Sequence, residues 1–244
     1  MADDVLSVII PIKDEAATIE KLVSLVEEVE VPAMSKQVIL VDDGSSDGTF
    51  EILQKYQGRE GYLLLHHAQN RGKGAAIRTG LEHATGSIVL IQDADHEYDP
   101  SDYPVLVEPI QQGQARVVYG SRFQGSIVGM RLANRVANRI LSSMASGLGP
   151  SKITDEATCF KVFDAGLLKA LPLRCRRFEF CPEVTGLLQG MGEPIVEVPI
   201  QYTGRGRDAG KKVRAKDGVI AVAWLLHSRF GRRSERRDLS LLFR

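Results

Sequence analysis

The chain is poor in the features that mark a secreted, membrane-spanning or zinc-knuckle protein. Its 244 residues include only three cysteines, Cys159, Cys175 and Cys181. Their number is odd and no pair has CxxC spacing, which supports neither a disulfide framework nor a metal knuckle and leads us to expect a reducing compartment. Long hydrophobic runs are missing. The longest, residues 219–226, has eight apolar residues, against the ~20 that a membrane span needs. The opening MADDVLSVII carries acids where a secretory signal needs a basic stretch. The expectation is a chain that is soluble or lies on a membrane. Aromatic residues are 6% and there is one tryptophan, too few stacking platforms for a single-strand nucleic-acid binder. A net charge is missing as well, with 31 basic and 31 acidic residues.

What is there is an ordinary globular composition, 43% apolar and 25% charged, long enough for one α/β domain with an appendage. The charge is unevenly spread. Residues 205–244 hold 12 basic and 4 acidic residues. An acidic body with a basic end suits a tail that meets phosphate or a membrane surface.

Apolar runs at residues 6–11, 37–41, 62–66 and 87–92 read as buried strands. Helical spacing fills residues 17–29, 48–56 and 74–84 between them. Short strands alternating with helices imply βαβ units and a mostly parallel, Rossmann-like sheet, with ligands at the strands' carboxyl ends. The second half is less regular. We expect strands at 117–119, 158–163 and an edge strand at 196–202, a helix at 131–146 and a short one at 183–189. A Gly/Arg/Lys-rich loop at 204–216 precedes an amphipathic helix at 217–230.

Polar residues gather where the strands end. Asp93-Ala94-Asp95, with Glu97 two further on, follows one strand; paired carboxylates there can hold Mg²⁺ or Mn²⁺ through oxygen, or form a solvated acidic turn. Asp42-Asp43 ends another, and one of these acids can accept from ribose hydroxyls or a base N–H, while Ser46 or Asp47 caps the next helix. Asn70-Arg71-Gly72-Lys73-Gly74 presents backbone N–H groups and a lysine at a helix start, which suits a diphosphate or an ordinary helix N-terminus. The spacing is neither a Walker A loop nor GxGxxG. Basic groups stand at Arg122, at Arg131, Arg135 and Arg139 on one helix face, and at Arg205, Lys211 and Lys212. They read as phosphate ligands or as solvated charge.

Eight ordered blocks, PIKDE (11–15), VDDGSSDGT (41–49), NRGKGAA (70–76), QDADHEYDP (92–100), YGSRF (119–123), TDEATCFKVF (154–163), FEFCPEV (178–184) and YTGRGRDAGKKVRAKDG (202–218), resemble the family 2 glycosyltransferases of GT-A fold. Within them the match is to the dolichol-phosphate mannose synthase-like, polyprenyl-phosphate branch, and it covers roughly residues 5–220. The resemblance implies a metal-dependent, inverting transfer of one hexose from a UDP- or GDP-sugar to a polyprenyl or dolichyl phosphate. It assigns the nucleotide to Pro11, Lys13, Glu15, Asp43, Lys73 and Asp93, and Mg²⁺ or Mn²⁺ to Asp93, Asp95 and Glu97. It assigns the acceptor to Arg122, Arg131, Asn134, Lys211 and Lys212, and catalysis to Asp155, Arg122 and Arg205. The expected layout is a catalytic domain at 1–216 and a basic segment at 217–244. That segment would touch a membrane surface or a membrane subunit on the cytoplasmic face, or form a core helix capped by a solvated basic tail.

Some features depart from the pattern. TDEATC differs from the TDxTSG of mannose synthases, leaving UDP-sugars as open as GDP-mannose, and the QxxRW block of processive synthases is absent. A non-lipid acceptor remains an alternative. A sugar-1-phosphate nucleotidyltransferase would want a glycine-rich loop where Lys13-Asp14-Glu15 stands. A serine hydrolase could use GSSDG (44–48) with His227 but lacks an oxyanion loop. A non-catalytic GT-A domain would be expected to have lost Asp93 or Asp95.

Overall fold

The computed structural model describes residues 4–204 and 215–231. In chain order the elements are β1 (Asp4–Ile12), α1 (Ile19–Glu28), β2 (Met34–Asp42), α2 (Thr49–Leu53), β3 (Tyr62–His66), α3 (Lys73–His83), β4 (Ile88–Ile91) and α4 (Tyr103–Gln111). They continue with β5 (Val117–Val128), α5 (Leu132–Ser146), β6 (Lys161–Asp164), α6 (Ala165–Ala170), α7 (Phe180–Met191), β7 (Val196–Thr203) and α8 (Ala215–Phe230). The strands form one sheet in the order β3-β2-β1-β4-β6-β5-β7.

The four early strands are apolar on both faces because helices cover both. Leu6, Val8 and Ile10 of β1 enter the core under α1, where Ile19, Leu22, Val23 and Val26 meet them. Ile9 points the other way, toward Ala76, Ile77 and Leu81 of α3. Alternation within a doubly covered sheet therefore appears as a continuous apolar run. β1, β2, β3 and β4 pair in parallel. Strand order reverses between β1 and β4, the position where open α/β sheets form a ligand crevice.

β6 is the exception, antiparallel to both neighbours, with Ile91 and Tyr119 each opposite Lys161. This places the chain just before Lys161 at the same edge as the chain just after Ile91 and just after Tyr119. The 93–97, 120–122 and 154–159 segments converge for that reason.

Several expected boundaries move. β5 runs to Val128, well past 119, pairing with β7 around a bulge between Ser121 and Ser126. α4 and α6 were not anticipated; prolines in the first turn and interior of α4 mask its pattern, and α6 has only six residues. α7 begins at Phe180, three residues early. The expected boundary at 216/217 falls inside α8, whose Trp224 and Leu225 are buried while Val219, Leu226 and Phe230 are exposed. No helix among the described residues is long and apolar enough to cross a membrane.

α8 packs closely on α7 through Gly186, where a Cβ would stand 2.6 Å from the Leu225 carbonyl oxygen and 2.8 Å from Ser228 Cβ. We expect Gly186→Ala to cost about 1–2 kcal/mol net, overpacking outweighing the helix-propensity gain. Differential scanning calorimetry should show a Tm lower by roughly 2–8 °C. Emission from Trp224, the only tryptophan, should shift to the red as α8 loosens.

Candidate active site

The carboxyl edge of the sheet collects acids from β1, β2 and β4, and most of them already have a specific partner. Asp43, expected to contact the nucleoside, is buried and turned inward. Its Oδ1 accepts from Arg71 N at 2.8 Å, its Oδ2 from Gly72 N at 2.7 Å, and His67 Nδ1 lies 2.7 Å from Oδ1. Asp43 thus shapes the loop leading into α3. Gly72 can follow that path because its φ is +95°, and a Cβ there would lie 2.3 Å from the Arg176 carbonyl oxygen.

Its neighbour Asp42 is the better candidate for a base or ribose contact. It is fully buried, and Oδ2 accepts from Ser45 N at 3.2 Å and lies 2.8 Å from His66 Nδ1. Its Oδ1 is buried with no hydrogen-bond partner, a costly state that a ligand donor would relieve. His66 in turn rests on Phe50, ring centroids 4.2 Å apart.

Lys13 Nζ bridges the β1 and β2 loops, 2.7 Å from the Gly44 carbonyl and 3.0 Å from Asp14. Glu15 is buried, its Oε2 accepting from Thr18 Oγ1 at 2.7 Å. Pro11 is buried in β1 opposite Val41 and offers no polar group beyond its carbonyl. Asp14 and His96 hold left-handed backbone, φ 52° and 54°, conformations that cost non-glycine residues about 1–3 kcal/mol and collect at functional sites. Asp14 Oδ1 accepts from Ser46 N at 2.8 Å, and His96 Nε2 donates to the Thr18 carbonyl at 2.7 Å. Ser46 is exposed with Asp14 as its hydroxyl partner, which gives no support to the nucleophile reading.

Lys73 Nζ stands 2.5 Å from Asp93 Oδ1 and 3.2 Å from Cys159 Sγ. Burial opposes both charges, but each ion sustains the other. The Asp93 carboxylate holds Lys73 well above its usual pKa, and Lys73 holds Asp93 below the usual carboxylate value. Burial, reinforced by Asp93, raises Cys159 well above its usual value, so it is a thiol. Asp95 lies half-buried at the strand end, its Oδ1 3.3 Å from Glu97 N. Glu97 Oε2 accepts from Tyr202 Oη at 2.6 Å. These are hard oxygen donors at one strand end, the correct type for Mg²⁺ or Mn²⁺. Among the described residues no three His, Cys, Asp or Glu side chains form a ready cage, so phosphate oxygens would have to complete the shell.

Asp155 was expected near the transferred sugar. Instead it is fully buried and clamped by Arg122. Its Oδ2 accepts from Arg122 N at 2.9 Å and Nε at 2.6 Å, and its Oδ1 from Nη2 at 2.6 Å. A carboxylate holding these three bonds orients the arginine. The guanidinium lies 5.2 Å from the Tyr202 ring and 5.9 Å from the Tyr98 ring, and its charge reaches Asp93. Tyr202 therefore joins Arg122 to Glu97. Arg131 is the exposed N-cap of α5 and Asn134 is half-buried one turn on. Arg205, Lys211 and Lys212 lie outside the described residues. Sequence reasoning could not separate Asp42, whose Oδ1 has no hydrogen-bond partner, from Asp43, and it passed over Tyr98, Cys159, Glu197 and Tyr202 altogether. Tyr98 and Cys159 sat inside quoted blocks but lacked the usual chemistry of ligands.

Asp43→Ala should strand two backbone N–H groups and lower unfolding free energy by about 2–4 kcal/mol, read from urea denaturation. Asp42→Asn should leave stability nearly unchanged while weakening nucleotide binding, read by calorimetric titration with UDP and Mn²⁺.

Comparison with known proteins gives the family and the fold. The model of "Glycosyl transferase family 2" matches residues 7–171. A UDP-N-acetylglucosamine–dolichyl-phosphate N-acetylglucosaminyltransferase of Methanococcus voltae is 29% identical over 221 residues, covering 82% of this chain and 86% of the relative. A dodecaprenyl-phosphate galacturonate synthase of Rhizobium johnstonii is 28% identical over 183 residues, 72% of this chain and 53% of the relative. Among solved structures, glucosyl-3-phosphoglycerate synthase of Mycobacterium tuberculosis with Mn²⁺, UDP-glucose and phosphoglyceric acid superposes with a TM-score of 0.70 at 20% identity, over 93% of this chain and 80% of that one. With its GT-A-like α/β sheet and its family match over two thirds of its length, this chain belongs to glycosyl transferase family 2.

Proposed function

We propose that the chain moves one hexose from a nucleotide-diphosphate sugar to a polyprenyl phosphate, inverting the anomeric centre. The observation that carries the lipid acceptor is the outer face of α5. Leu132, Val136 and Ile140 recur at i, i+4 and i+8 and are 76%, 50% and 57% exposed. Arg131 precedes this apolar row, and Val128 at the end of β5 is 61% exposed beside it in sequence. Apolar side chains left in water at helical spacing, next to arginines, suit the boundary between headgroups and acyl chains. A small soluble acceptor gives no reason for that row. The names of the Methanococcus and Rhizobium relatives point the same way. The Mycobacterium structures carry a phosphorylated, non-lipid acceptor, and that second reading shares the phosphate chemistry but not the apolar row.

In this reading Asp42, Lys13 and Glu15 hold the nucleoside and Lys73 meets the diphosphate. Arg122, Arg131 and Asn134 receive the acceptor phosphate, and Arg205, Lys211 and Lys212 add positive charge. Asp93, Asp95 and Glu97 would hold Mg²⁺ or Mn²⁺, which neutralises charge on the departing diphosphate. A phosphate oxygen attacks the anomeric carbon as the bond to the nucleotide's β-phosphate breaks, and the electron pair leaves on the diphosphate. The attacking oxygen is already anionic at neutral pH, so no side chain need remove a proton. The work is positioning and charge stabilisation. Asp155 contributes by aiming Arg122. The body and the basic segment at 217–244 together would rest on the cytoplasmic face of a membrane.

Purified protein with Mg²⁺ or Mn²⁺ should yield a glycosyl phospho-lipid from one donor of a panel of UDP-glucose, UDP-GlcNAc, UDP-galactose and GDP-mannose, read by mass spectrometry. Transfer to 3-phosphoglycerate and not to polyprenyl phosphate would overturn the lipid reading. Val136→Asp with Ile140→Asp should lower turnover of long-chain acceptor in vesicles by about tenfold or more and spare a short-chain, water-soluble polyprenyl phosphate.

A further inference from the structure

We propose that Glu197 is a positioning residue of the transfer site, acting through Asp155 on Arg122. The inference rests on the reading above that Arg122 meets a phosphate. Glu197 lies in β7, outside every motif block that carries the family resemblance. Its carboxylate gathers the turn that bears Asp155. Oε1 accepts from Thr154 N at 3.0 Å and Asp155 N at 2.9 Å. Oε2 accepts from Thr154 N at 2.9 Å, Thr154 Oγ1 at 2.8 Å and Gln124 Nε2 at 3.0 Å.

The 154–155 backbone belongs to no helix or strand, so it has no ladder to fix its path. Glu197 supplies that constraint, with the charge-assisted bonds that hold a backbone N–H most firmly. Asp155 is then gripped from both ends, its amide by Glu197 and its carboxylate by three bonds from Arg122. Thr154 Oγ1 also lies 2.6 Å from Ser121 Oγ, next to Arg122 in sequence. Two anions, Glu197 behind and Asp155 in front, thus set where one buried guanidinium points. Five bonds on one side chain of an edge strand exceed what packing that strand requires.

Glu197→Gln keeps the shape but replaces one acceptor by an N–H₂ that confronts the donors of Thr154 and Asp155. The full chain is compared as wild type, Glu197→Gln, Arg122→Lys and the double variant, using the donor the panel selects and polyprenyl phosphate, with Tm and UDP affinity measured in parallel. We expect Glu197→Gln to lower kcat about 10- to 100-fold and to keep UDP affinity within about twofold. The double variant should be within about threefold of Arg122→Lys alone, because the two changes disable one device. Glu197→Asp, which keeps the charge, should recover part of kcat and serves as the informative variant should the glutamine form not fold. A kcat within about twofold of wild type in Glu197→Gln, or losses that multiply in the double variant, would overturn the proposal. Full activity in Arg122→Lys would instead remove the Arg122 reading, and the role of Glu197 with it.

Discussion

Carboxylates crowded at one end of a mostly parallel sheet repel one another, and four of the acids there are held by specific partners. Asp43 takes two backbone N–H groups of the loop before α3. Asp93 takes the Lys73 ammonium, Asp155 the Arg122 guanidinium, and Asp42 the Ser45 amide and the His66 ring. Apart from the local Asp42–Ser45 bond, each pairing joins two segments distant in sequence, so satisfying these acids and closing the tertiary structure go together. Unpaired, any of these buried anions would cost several kcal/mol, a large part of the ~5–15 kcal/mol that keeps a domain folded.

The same pairings divide the edge by task. The β1 and β2 loops, tied by Lys13, Asp14 and Ser46, form the side suited to a nucleoside. Lys73, Asp93 and Asp95 form the middle, where cationic and hard-oxygen groups suit a diphosphate. Arg122 and its two tyrosine rings form the far side, bordering the segment that leads to α5. Tyr202 spans the last two by contacting both Arg122 and Glu97.

Legibility followed the physics of each element. β1, β2, β3 and β4 were readable because cover on both faces of the sheet, complete in β4 and partial in the edge strand β3, leaves an apolar run in each. α4 was not, since Pro104 and Pro109 are breakers by propensity and are tolerated only where the first turn and the packing absorb them. β5 looked short because the exposed Gln124-Gly125-Ser126 interrupts its apolar pattern, and pairing with β7 keeps its far end extended. The expectation for α8 left open an exposed apolar side or a core helix, and the buried Trp224 and Leu225 beside the exposed Val219, Leu226 and Phe230 show both, the close approach depending on a glycine in another helix.

At the active edge the residue types were written in the chain, whereas their assignments depended on contacts. That acids and cations follow the strands comes from sequence alone, because the strands must end where apolar residues stop and the chain re-enters water. Asp42 and Asp43 are indistinguishable in sequence. Adjacent residues of a strand end point to opposite sides, and only the position of the 70–72 loop decides which acid is consumed. Asp155 carries the composition of a catalytic acid, yet antiparallel β6 brings Arg122 onto it, and a carboxylate holding three hydrogen bonds has become part of the framework. Sequence by itself determined the sheet, its polar edge and the chemistry available there. Tertiary structure alone decided which charges were spent on each other and which remained for a ligand, because that depends on distances of a few ångströms between segments that the chain separates by some tens of residues.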